Sequence, residues 1–257
     1  MNYAMEIAAQ GALTSLYRAD VLSNNLANFE TPGFKADMPV LRHRDVARVE
    51  DGLGYLPSNA LLERLGAGPH LAPNYVDFTP GALDVTDRPL DVAIEGDGFF
   101  LVASGHDDAL GLSRDGRLTI DDRGRLVQSA SGHRILDDRQ RPIFVSIEDG
   151  PIEVASDGVI TQGLGEIGRM ALVDLPDRRA LEKNGAGSFS MAPGSEDSLV
   201  HATGKLRQGA VESAGVNEIS TLNDLTGALS AVGTNIGMMT YADRMLDLAI
   251  NRLGRVG

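Results

Sequence analysis

Residues 218–253 constrain the chain most. Apolar side chains recur there at alternating spacings of three and four: Leu222, Leu225, Leu229, Val232, Ile236, Met239, Leu246, Ile250 and Leu253. Asp243 holds the one stripe position that is not apolar. This repeat puts the side chains on one stripe of an α-helix, as in a coiled-coil seam. It persists for about four heptads or more, which a strand cannot explain. A helix of about 36 residues spans roughly 54 Å, longer than a compact domain of this size needs. Gly227, Gly233 and Gly237 each weaken it by about 1 kcal/mol relative to Ala. Near the stripe they also leave room for a close neighbour.

Residues 1–29 carry a lighter version of the same pattern. Met5, Ala9, Ala12, Leu16, Ala19, Ser23 and Leu26 alternate spacings of four and three. Small residues dominate this stripe, so another helix can approach closely. Thr31-Pro32-Gly33 ends the helix, because Pro32 disfavours the α region for Thr31 and has no N–H to donate. The two seams predict that the terminal helices pair, parallel or antiparallel, as a coiled-coil-like stalk. Asn24, Asn25 and Asn28 fall at the first helix's end, among carbonyls that lack intrahelical partners. Their amides offer donors and acceptors, so they can cap their own helix or bridge to a neighbour.

The period changes in the middle of the chain. Leu90–Ile94, Phe99–Val102, Ile143–Ile147 and Met170–Leu175 read as short strands, separated by Asp97-Gly98, Asp115-Gly116, Arg123-Gly124, Ser131-Gly132 and Asp157-Gly158 turns. A local echo, Asp115-Gly116-Arg117-Leu118 and Arg123-Gly124-Arg125-Leu126, reads as two hairpin strands of similar build. The predicted class is α+β, with helices at both ends and a β-rich outer domain. The expected boundaries are an N-terminal helix and turn at 1–34, an irregular connector at 35–83, a β-rich domain at 84–210 and a C-terminal helix at 211–257. The connector carries Pro57, Pro69, Pro73 and Pro80 with five glycines, and is easiest to accept if it packs on neighbouring subunits.

Composition narrows the function. A formal charge of −13 over 257 residues opposes a broad nucleic-acid footprint or attraction to anionic lipid. The chain has no Cys, so disulfides and thiolate metal sites are excluded. No run of about 18 apolar residues suggests a membrane span, and the N-terminus lacks the pattern of a cleaved signal peptide. His43, His70, His106, His133 and His201 show no metal-binding spacing. Asp107-Asp108, Asp121-Asp122 and Asp137-Asp138 sit beside turn residues and read as solvated turns. Gly96-Asp97-Gly98 lacks the Lys-Ser or Lys-Thr of a phosphate loop. The expectation is a structural subunit, not an enzyme, with no cofactor and no metal. A cell-wall-active enzyme on the β domain and a secreted binding module are the weaker alternatives.

Three stretches carry a resemblance. Ser23-Asn24-Asn25-Leu26-Ala27-Asn28 followed by Thr31-Pro32-Gly33-Phe34-Lys35 resembles the signature of flagellar basal-body rod and hook proteins. The stretch from Arg88 to Phe100 resembles the start of that family's β domain, and Gln208–Asn217 its lead-in to the C-terminal helix. Thr79–Pro89 is most similar to the proximal-rod branch, with the distal-rod branch as the alternative.

The resemblance implies an axial subunit of the basal-body rod, exported by the flagellar secretion apparatus without a cleaved signal. Its partners would be homologous rod subunits above and below, and copies of itself, with no nucleic acid and no membrane insertion. The expected contact residues are the two stripes, from Met5 to Leu26 and from Leu222 to Ile250, together with Asn24, Asn25, Asn28, Pro32, Gly33 and Phe34. Both ends are expected to be mobile in the free subunit and to order on stacking.

Overall fold

The structure is a computed structural model, and it describes residues 3–50, 52–58, 68–104, 109–146, 149–163, 165–185, 187–192 and 194–253. The chain forms two compact units. One combines Met1–Ala27, Asp37–Tyr75 and Asn217–Gly257; the other combines Asn28–Ala36 and Val76–Val216.

The first unit is built on two helices, Tyr3–Ala27 and Glu218–Leu253. They run antiparallel: Arg18 meets Asp224 at 3.7 Å, and Gly11, earlier in the first helix, lies against Asn235, later in the second. A Cβ on Gly11 would stand 2.9 Å from Asn235 Oδ1, so glycine permits this close crossing. Asn217 opens the long helix by accepting a hydrogen bond from Ser220 N–H at 3.0 Å, an N-cap.

The pairing seam is narrower than the sequence stripes. Ala19, Leu22 and Ala228 are buried together, with Leu225 against them. Ala8 and Ala12 are buried further along the first helix. Leu16 and Ser23, expected in the seam, are exposed, as are Leu222, Leu229, Ile236 and Ile250. Small side chains let the two backbones approach, which leaves the larger stripe residues outside the contact.

The structure also departs from the expected irregular connector. Asp37–His43 and Pro69–Val76 form a two-stranded ribbon. Arg44 N–H donates to Gly68 O at 2.9 Å beside one end of the pairing. Pro39, Pro69 and Pro73 obscured these strands in the sequence. A two-stranded ribbon has only edge strands, where proline is tolerated.

The second unit is antiparallel β. Its largest sheet runs Leu181–Lys183, Ser188–Met191, Leu110–Ser113, Phe99–Ala103, Arg134–Ile135, Leu126–Gln128 and Leu118–Ile120. Leu172–Asp174 also pairs with Phe99–Ala103. The two echo segments begin the paired strands Leu118–Ile120 and Leu126–Gln128. Smaller pairs join Val92–Glu95 to Lys205–Gln208 and Leu83–Val85 to Ala210–Glu212. The expected strand at 143–147 does not form, and Ile147 lies outside the described residues. Ile143 and Val145 are buried, but the Gln162 side chain, not a neighbouring strand, serves the Ser146 backbone.

One core centres on Val92, Ile94, Phe100, Ile135 and Ile160. Another centres on Phe78, Phe99 and Phe189, whose rings lie 5.3–5.9 Å apart.

Candidate functional site

The turn that follows the first helix is locked into the β unit by a buried ion cluster. Pro32 sets the bend, and Gly33 takes a left-handed φ of 69°. A Cβ on Gly33 would fall 2.4 Å from the Arg114 carbonyl carbon, so only glycine fits against that backbone. Phe34 is then buried, and Lys35 points inward. Lys35 Nζ donates to Glu212 Oε1 at 2.6 Å and to Thr79 O at 2.8 Å. Arg114 donates to Glu212 Oε2 at 3.1 Å and to Gly96 O at 3.0 Å. Gly81 N–H adds a 2.7 Å bond to the same carboxylate.

All three charged side chains have 0% exposure. The cluster holds two cations and one anion, and the Phe99 ring lies 5.2 Å from the Arg114 guanidinium as a further partner. Burial pushes the Lys35 ammonium below its usual value, Glu212 opposes that shift, and Arg114 adds to it. Backbone bonds close the clasp: Gly33 N–H to Glu212 O, Gly215 N–H to Phe34 O and Asp77 N–H to Ala36 O, at 2.8–2.9 Å.

In the helical unit Asn25 is buried and its amide serves the chain itself. It donates to Asp37 O at 2.7 Å and accepts from Asp37 N–H at 2.9 Å. In the β unit Asn28 O accepts from Thr31 N–H at 3.0 Å, and its side chain accepts from the Thr31 hydroxyl at 3.3 Å. Asn24 is exposed and Pro32 half-buried. Met5, Ala9, Leu26, Val232, Met239 and Leu246 are half-buried, while Ala12, Ala19 and Leu225 belong to the helix pairing.

The remaining stripe residues form an outward row. Leu222, Leu229, Ile236 and Ile250 recur at multiples of seven and are about half-exposed or more. A second outward row, Met238, Tyr241, Met245 and Leu248, is 49–70% exposed. Gly227, Gly233 and Gly237 have open space where a Cβ would lie. These apolar rows alternate with exposed polar positions such as Asn223, Asp224, Thr226, Asp243 and Asp247. No described helix is long and apolar enough to cross a membrane.

Two family matches fall on these parts of the chain. Residues 5–35 match the family described as flagella basal body rod protein, and residues 93–162 match the flagellar hook protein FlgE/F/G D1 domain. The chain is 30% identical over 256 residues to the flagellar basal-body rod protein FlgF of Salmonella typhimurium, covering 95% of each chain. The chain belongs to the flagellar basal-body rod protein family. It is also 27% identical over 256 residues to FlgF of Caulobacter vibrioides, covering 100% of both. FlgG of Buchnera aphidicola subsp. Schizaphis graminum is 31% identical over 242 residues, covering 88% of this chain and 90% of its own.

Within this rod-family chain, sequence reasoning missed two groups. Lys35 and Glu212 each stood inside a quoted stretch, but nothing in the sequence linked them to each other or to Arg114. Met238, Tyr241, Met245 and Leu248 did carry a signal, a three-four-three spacing in another register of the same helix. Following a single stripe hid it. Among the described residues, no three His, Asp or Glu side chains are grouped to hold a metal ion.

Proposed function

We propose that this structural rod subunit occupies the proximal rod and polymerises through its terminal helices into the axial shaft that transmits torque. The observation that carries the polymer reading is the apolar surface left uncovered on the helical unit, above all Leu222, Leu229 and Ile236. Its partners are homologous rod subunits above and below and further copies of itself, joined by open, heterologous contacts. Its site is the flagellar basal body, reached through the flagellar export apparatus without a cleaved signal. Assembly, not catalysis, is its work. FlgF relatives match over the whole chain, which supports the proximal position. The similar identity to FlgG supports the distal rod as the second reading.

Leu229→Asp and Leu16→Asp each place a charge on an exposed apolar position. Each is expected to abolish assembly and swimming while the β unit keeps its native circular dichroism. Normal swimming by either variant would count against polymerisation through these helices. Complementation separates the two positions: this chain should restore motility to a strain lacking the proximal-rod FlgF and not to one lacking the distal-rod FlgG. The reverse result would move it to the distal rod.

A further inference from the structure

We infer that Asn184-Gly185 is a site of self-modification, where the asparagine cyclises and hydrolyses to isoaspartate and so loosens the strand whose Lys183 covers Phe34. Asn184 is the only asparagine of the chain followed by glycine. Glycine matters because it has no Cβ to crowd its backbone nitrogen as that nitrogen approaches the carboxamide. The fold leaves the pair open to this chemistry. Both residues are exposed, in the turn between Leu181–Lys183 and Ser188–Met191. Among the described residues, neither the Asn184 carboxamide nor the Gly185 N–H has a hydrogen-bond partner. Other asparagines are held. Asn25 is buried, and both ends of its amide are bonded to Asp37. Asn235 donates to Ala231 O inside the long helix.

The reaction needs only water and hydroxide. Hydroxide takes the Gly185 amide proton, and the nitrogen attacks Asn184 Cγ. A new N–Cγ bond forms, the Cγ–Nδ2 bond breaks, and the side-chain nitrogen takes a proton from water and leaves as ammonia. Water then opens the cyclic imide. Cleavage at Cγ gives aspartate. Cleavage at the Asn184 backbone carbonyl gives isoaspartate, whose main chain runs through the side chain and is longer by a methylene. That methylene falls inside the ring closed by Asn184 N–H donating to Ser188 O at 2.9 Å. Either that bond or the pairing of Lys183 with Phe189 must then give way. Leu181–Lys183 stands at the end of its sheet, with Ser188–Met191 as its neighbour, so the change falls on an edge strand that opens readily. Lys183 Nζ lies 4.3 Å from the centre of the Phe34 ring, a cation–π contact. Its displacement uncovers the turn that carries Lys35 into the ion cluster.

The full chain is aged in mildly alkaline buffer beside Asn184→Gln, whose longer side chain would have to close a larger and slower-forming ring. Peptide mass mapping locates acid in place of amide, and a protein isoaspartate methyltransferase labels the isoaspartyl product. The expected result is conversion at position 184, with most of the product methylated, while Asn25 and Asn235 keep their amides. Hydrogen exchange then compares aged and fresh protein. Residues 181–183 and 33–36 should exchange several-fold faster after ageing, and Phe99–Ala103 at the same rate. Aged Asn184→Gln should match the fresh chain. Fresh Lys183→Ala should quicken residues 33–36 without any modification at 184. An amide retained at 184, or conversion to aspartate alone, would overturn the site. Unaltered exchange at residues 33–36 in the isoaspartyl form would overturn the loosening.

Discussion

Glu212 is a carboxylate with no exposed surface, and it holds Lys35 and Arg114 from distant parts of the chain. Removing one member of such a cluster leaves the others charged and buried. Glu212→Gln is therefore expected to cost about 3–5 kcal/mol, read by urea unfolding followed by circular dichroism. Replacing Lys35, Arg114 and Glu212 together with apolar residues of similar volume should cost less, because no charge is stranded. Acid acts on the clasp's border. The Thr79 hydroxyl, then its N–H, holds the Asp77 carboxyl below its usual value against the opposing effect of burial. The Arg178 guanidinium does the same for Asp97. A carboxylate depressed in the folded state contributes stability above the ordinary carboxylate range and loses it as pH falls through the folded value. The melting temperature is expected to stay level down to about pH 5 and to fall below about pH 4. Asp77→Asn should flatten part of that fall.

At the scale of elements, two β-unit loops are near twins. Asp121-Asp122-Arg123-Gly124-Arg125 and Asp137-Asp138-Arg139-Gln140-Arg141 share one geometry. In each, the first carboxylate accepts from the backbone N–H groups two and four residues on and pairs with the last arginine. The fourth residue is left-handed in both, at φ 76° for Gly124 and 58° for Gln140. Gln140→Gly is expected to stabilise the chain by about 0.5–1 kcal/mol, seen as a raised melting temperature. These loops were legible in the sequence as turns, because Asp-rich segments favour local backbone bonds. The terminal helices were legible for a different reason, since their period is sustained over many turns. Which side of each stripe meets the partner helix was not legible. Ala12 and Ala19 decide that by their small size, and Leu16 is left outside. The ribbon was hidden by its prolines, and the Lys35–Glu212 bond by a sequence separation of 177.

For the whole molecule, the two units differ in how much of their apolar surface is covered. The β unit encloses two hydrophobic clusters, whereas the long helix keeps Ile219, Leu229, Tyr241, Met245 and Ile250 exposed. Backbone hydrogen bonds with little burial around them open readily. Hydrogen exchange on the free chain is expected to run faster at residues 3–27 and 218–253 than in the strands around Phe99–Ala103. Assembly should slow exchange at the helices and leave the strands unaltered. Slow exchange along both helices of the free chain would contradict this.

The clasp also sets an order in time. Lys35 leaves the ribosome, or any narrow conduit entered N-terminus first, long before its partner. Until Glu212 follows, the ammonium has no carboxylate to receive it, and the pairing of Leu83–Val85 with Ala210–Glu212 has no second strand. The β unit therefore cannot close on a partly emerged chain. A chain stopped before residue 212 stays open at this seam, and closure becomes a signal that nearly the whole subunit has arrived.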